Sequence, residues 1–143
     1  MRISVTFILG WFLVTIGGLF RLLCYVKLGR FFTFELAIRQ QHKLITDGPY
    51  AWVRHPSYTS VIALFIGGAV CMFGPGSWFW QGGWVDSVGG SISAMLFVAS
   101  TVQIITSFFS RMKAEDMMLR REFGTQWDDW KRRVPYRLVP GIY

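Results

Sequence analysis

Three apolar runs, separated by segments where charge and turn residues gather, organise this chain. Residues 3–25 are apolar except for Arg21 near the end, and about 20 residues suffice to cross a bilayer. No small-residue cleavage site follows a short core, so the run reads as a retained helix, with Arg21 snorkelling to the interface. From Lys27 to Gln41, Phe31, Phe32, Phe34, Leu36 and Ile38 mix with Arg30, Glu35, Arg39 and two glutamines, which suits a segment at the membrane interface. Residues 59–73 form a second, shorter run that Gly74-Pro75-Gly76 stops. Residues 92–109 form the third, and its Thr101, Gln103 and Thr106 are expected to face other helices rather than lipid. The Gly- and Trp-rich connection over 74–91 makes the second and third runs an antiparallel helical hairpin. Helical composition continues over 111–123 until Gly124, and a last amphipathic piece, Thr125 to Val134, sets Trp127 and Trp130 on one face.

These elements predict an all-α, polytopic membrane protein: a single domain over 1–143 with about three transmembrane helices (3–25, 59–73 and 92–109). Interfacial helices, a loop at 42–58 and a C-terminal helical tail at 110–134 complete it. Composition agrees, since only 16% of residues are charged while 52% are hydrophobic and 17% aromatic, against about a quarter charged in soluble domains. The net charge of +7 does not mark a nucleic-acid module, because the basic residues sit between and after long apolar runs rather than on a polar fold. Arg2 stands alone before the first run, six basic residues lie from Arg21 to Arg54, eight from Arg111 to Arg137, and none between the second and third runs. The positive-inside rule puts the fourteen in the cytosol, so the loop and the tail share a compartment. Cys24 and Cys71 are expected at opposite membrane faces, far beyond disulfide reach, and are read as free thiols.

Candidate chemistry concentrates between the first two runs, in His42-Lys43-Leu44-Ile45-Thr46-Asp47-Gly48-Pro49-Tyr50-Ala51-Trp52-Val53-Arg54-His55-Pro56-Ser57-Tyr58. It holds the only two histidines, with an arginine, two prolines and two tyrosines at a membrane boundary, where ionisable groups are costly and signal a site. The alternative is a connecting loop with aromatic interface anchors. In the tail, Arg111 and Glu115 are four apart and share a helix face, either as a surface ion pair or as ligand contacts. An acid there can accept from sugar hydroxyls or an ammonium, and an arginine can hold a carboxylate at two points. Asp116 points elsewhere on the helix and is the weaker candidate. Lys131-Arg132-Arg133 reads as an anionic-lipid contact. No glycine-rich dinucleotide loop, P-loop or zinc pattern is present, and two histidines alone make an improbable metal site.

Together the two constellations resemble the isoprenylcysteine carboxyl methyltransferase family, fungal members above all. The carrying residues are His42 to Ile45, Gly48-Pro49-Tyr50, Arg54-His55-Pro56-Ser57-Tyr58, Arg111, Glu115-Asp116, Phe123-Gly124, Trp127 and Val134-Pro135. The Arg-His-Pro-x-Tyr piece is shared with phospholipid methyltransferases and sterol reductases; its combination with the tail is more specific. The resemblance implies that S-adenosylmethionine binds at the cytosolic face of the endoplasmic reticulum membrane. His42, Lys43, Leu44, Ile45, Tyr50, His55, Pro56, Ser57, Tyr58 and Glu115 would line the cofactor pocket, with Glu35 as a further contact. Arg111 would be the catalytic and substrate-binding residue, holding the carboxylate of a prenylated cysteine. The implied partners are prenylated protein C-termini (Ras-like GTPases, lipidated pheromone-like peptides) and membrane lipid, without nucleic acid. Ser60 departs from the family's glycine after the tyrosine, and the N-terminus is shorter than usual, as in a compact form or a fragment lacking part of the lipid cleft. A phospholipid N-methyltransferase, a sterol reductase and an inactive truncated membrane subunit stay open as alternatives.

Overall fold

The computed structural model describes residues 4–31 and 43–142. The order is α1 (Val5–Leu28), a 3-10 turn (Gly29–Phe31), a second 3-10 turn (Gly48–Ala51), α2 (Pro56–Phe73) and α3 (Trp78–Gln81). A 3-10 turn (Trp84–Asp86), α4 (Val88–Phe123) and α5 (Thr125–Arg133) follow. Among the described residues, three helices are long and apolar enough to cross a membrane: Val5–Leu28, Pro56–Gln81 and Val88–Phe123. At about 1.5 Å per residue, the 36 residues of α4 run roughly 54 Å, well past a hydrocarbon core of about 30 Å. Its charge-free part ends at Ser110, and Arg111 opens the polar portion.

Two boundaries differ from the sequence expectation. The second helix begins at Pro56 rather than 59, because proline lacks only an N–H that a helix start leaves unbonded. The connection at 74–91 is not plain loop: Ser77 caps a single turn of α3 by accepting from Trp80 N–H, and α4 starts at Val88. Both cysteines are free.

The chain divides into two compact units. The first, Met1–Gly18 with Ser60–Ser107, is an apolar helical unit held by close backbone approach. A Cβ at Gly67 would lie 2.8 Å from Gly10 O and 2.9 Å from Val14 Cγ2; one at Gly17 would lie 3.1 Å from Ser60 O. The pairing of Gly10 with Gly67 and Gly17 with Ser60 makes α1 and α2 antiparallel here. Small residues at such crossings let main chains pack where lipid offers no hydrophobic drive. Ser60, where the resemblance leads one to expect glycine, is buried at this crossing. Phe73 joins the unit's aromatics, its ring 5.2 Å from that of Phe97 and 5.0 Å from that of Phe79.

The second unit is Leu19–Thr59 with Phe108–Tyr143. Its apolar core is Cys24, Tyr50, Trp127, Trp130 and Val134, with Leu28, Leu44, Ile45, Leu119 and Phe123 against it. Trp127 and Trp130 are buried together, as their three-residue spacing predicted. Gly124 makes the break between α4 and α5 with φ 52° and ψ −118°, a backbone state only glycine enters without strain.

Candidate functional site

The polar centre lies in the second unit, where the loop before α2, the polar half of α4 and the C-terminal tail converge. Gly48–Ala51 closes a turn that buries Tyr50, whose carbonyl accepts from Trp130 Nε1 at 3.1 Å. Three consecutive tail carbonyls then receive the chain. Arg54 N–H donates to Tyr136 O (3.0 Å), His55 N–H to Arg137 O (2.8 Å) and Thr59 Oγ1 to Leu138 O (2.7 Å). His55 stands directly before Pro56, a position that favours extended backbone, and its carbonyl receives the first amides of α2.

Asp116 is the hub of this centre. Its Oδ2 accepts from Arg54 Nη1 at 2.9 Å and lies 3.4 Å from Arg137 Nε, while its Oδ1 is 3.1 Å from His55 Nε2. Arg54, His55 and Asp116 are only 4–5% exposed. Buried charges need partners, and this carboxylate has three. Burial pushes the Asp116 carboxyl up, but the hydrogen bond and charge of His55, with Arg54 and Arg137, outweigh it and hold it below the usual carboxylate range. Arg54 also lies 5.7 Å from the centre of the Trp127 ring, near enough for cation–π attraction.

The other face of His55 looks to Glu115. Nδ1 stands 3.8 Å from Glu115 Oε2, too long for a hydrogen bond, and Tyr58 donates its hydroxyl to the same oxygen at 3.2 Å. The Arg111 guanidinium lies beside the same hydroxyl. The Tyr58 ring tilts against Phe108 at 4.8 Å. The Glu115 side chain is 34% exposed, so the carboxylate keeps acceptor capacity toward the outside. Burial pushes the Tyr50 hydroxyl up, so it stays a neutral donor.

Of the residues expected at the site, His55, Tyr58, Glu115 and Arg111 come together. Tyr50, Leu44 and Ile45 lie in or against the unit's apolar core, Pro56 is fully buried at the start of α2, and Lys43 is exposed. Ser57 carries out a contact not foreseen: Arg21, rather than reaching outward, donates Nη1 to Ser57 O (3.2 Å) and Oγ (3.3 Å) and stacks over Tyr25. His42 and Glu35 lie outside the described residues. Sequence reasoning undervalued Asp116, named Arg54 in the loop without giving it a role in the site, and gave none to Arg137. The signal for Asp116 was present: Met112, Asp116, Leu119 and Phe123 fall on one helical stripe whose other members are apolar, and a charge on a buried stripe calls for a buried partner.

An all-helical membrane chain whose polar centre joins a proline-bearing loop to the extension of a long helix defines the class. The family model for isoprenylcysteine carboxyl methyltransferases matches residues 8–79, and this chain belongs to that family. It is 30% identical over 129 residues to protein-S-isoprenylcysteine O-methyltransferase B of Arabidopsis thaliana, covering 88% of this chain and 55% of the relative. The enzyme of the same name from Schizosaccharomyces pombe is 29% identical over 123 residues, 84% of this chain and 44% of the relative. The Homo sapiens protein is 30% identical over 94 residues, 66% of this chain and 26% of the relative. The chain thus spans about half the length, or less, of the curated relatives it matches.

Proposed function

We propose that this chain transfers a methyl group from S-adenosylmethionine to the C-terminal carboxylate of a prenylated cysteine, on the cytosolic side of the endoplasmic reticulum membrane. The observation that carries the reading is the joint of loop and helix: His55 and Tyr58 meeting Glu115 and Arg111, in a chain of this family. The donor set suits the cofactor. Glu115, a third exposed, offers carboxylate oxygen to ribose hydroxyls or an ammonium, and the loop brings Tyr58 beside it. Glu115, Tyr58 and His55 would hold it, with Lys43 and, from the sequence, His42 and Glu35 beside them, while Tyr50, Leu44, Ile45, Pro56 and Ser57 would support the loop from behind. When bound, S-adenosylmethionine supplies an electrophilic methyl group and a sulfur leaving group.

The chain's own task is then alignment and exclusion of water. A carboxylate is ionised at neutral pH, so no strong base is required. Arg111 would grip it at two points, and the rigid turn with Pro49 and Pro56 would limit the loop's freedom. Substrates of this kind include processed Ras-like GTPases and lipidated pheromone-like peptides. The test is a methylation assay on membranes carrying the chain, with a farnesylcysteine analogue and labelled donor. Base-labile label in the analogue is expected. Label appearing in phospholipid instead would reassign the acceptor, and absence of S-adenosylmethionine binding would remove the reading.

A further inference from the structure

Arg137 meets both the loop and α4. Its carbonyl takes the His55 N–H at 2.8 Å, and its Nε lies 3.4 Å from Asp116 Oδ2, the carboxylate whose other oxygen meets the His55 ring. Arg54 alone would neutralise Asp116, since Nη1 meets Oδ2 at 2.9 Å. A second guanidinium on the same oxygen adds like-charge repulsion inside the unit, so it is a poor device for stability alone. Anchorage of the tail is already provided by buried Val134 and Leu138 and by the bonds to three successive carbonyls. What the second guanidinium adds is orientation. With Arg54 at 2.9 Å and Arg137 at 3.4 Å both drawing on Oδ2, the positive field holds that oxygen toward them and leaves Oδ1 for His55 Nε2. Nε2 then carries the proton to Oδ1 and Nδ1 is the atom that faces Glu115, in the way outer groups set the tautomer of a working histidine.

We infer that Arg137 is a positioning residue: through Asp116 it fixes the ring of His55, and so the ring edge that stands beside Glu115, the exposed carboxylate proposed to meet the cofactor. The link to the cofactor rests on the proposed function; the link to the His55 ring does not.

The chain has only two histidines, so ring-15N-labelled protein in detergent gives two sets of imidazole signals, and H42Q assigns them. The variants are Arg137→Gln and Arg137→Lys. Both keep the main-chain bond to His55, so only the side-chain charge is varied. Arg137→Gln is expected to move the His55 ring resonances and to weaken S-adenosylmethionine binding, by calorimetry, about tenfold, as for loss of one partly buried ion pair. Arg137→Lys should restore most of both. Unmoved ring signals in the glutamine variant overturn the inference, and so does a lysine variant as impaired as glutamine, which would mean packing rather than charge. A wild-type protein that binds no S-adenosylmethionine, while Arg137→Gln still moves the ring, rejects the cofactor reading and leaves the positioning role standing.

Discussion

Asp116 shows how far a single residue's position on a helix decides its chemistry. One step along α4, Glu115 is a third exposed and shares its face with Arg111, while Asp116 turns onto the buried stripe and gathers Arg54, His55 and Arg137. Removing its charge leaves Arg54 buried opposite a neutral group. Asp116→Asn is therefore expected to lose about 3–5 kcal/mol, read as a lowered unfolding midpoint in detergent. The pH dependence follows in sign. The folded carboxyl titrates below its unfolded value of about 3.9, so its contribution is complete above that value and lost as pH falls through the folded one. Stability of the wild type should hold from pH 7 to 5 and drop toward pH 3, and Asp116→Asn should show a smaller drop over the same interval. Arg111 calls for a different measurement. If it clamps a carboxylate, Arg111→Lys should impair turnover although charge is kept, with S-adenosylmethionine affinity little changed. Near-normal methylation in the lysine variant would return Arg111 to a structural role beside Tyr58.

The helices were legible in the sequence because membrane-length apolar runs and glycine or proline stops leave few alternatives. Gly124 stopping α4, and Trp127 and Trp130 turning inward together, both follow from local rules. What could not be read was which polar residues meet. Arg21 near a helix end suggested a headgroup contact, yet it bonds Ser57, which follows it by 36 positions, and tail carbonyls 136–138 receive a loop some eighty residues earlier. Such meetings are set by tertiary approach, for which spacing along the chain gives no period. At Gly67 the approach has a sharp consequence. A side chain there would run into Gly10 O and Val14, and the backbone atoms it meets have nowhere to yield. Gly67→Val should lower the unfolding midpoint by an amount matching about 1–3 kcal/mol of overpacking. Gly68→Val, where added carbon meets nothing within 4 Å, should leave it nearly unchanged.

For the whole molecule, the distribution of charge makes a statement that three candidate spans turn into a test. Fourteen of the fifteen basic residues fall before the second span or after the charge-free part of α4 from Arg21 onward, and the connection between those spans carries one charge, Asp86. If the positive-inside rule holds here, the segments bearing His55 and Glu115 face the cytosol and the connection faces the lumen. The consequence is specific, because α2 and α4 must each cross once for the loop and the tail to share a compartment. Single cysteines at exposed Gln81 and exposed Lys113, in a background without Cys24 and Cys71, report the two sides. In sealed microsomes a membrane-impermeant maleimide added outside should label Lys113→Cys and leave Gln81→Cys protected until detergent is added. Labelling of Gln81→Cys from the outside would mean that α2 and α4 do not both cross or that they cross in the opposite sense, and the proposed cytosolic site would lose its topological basis.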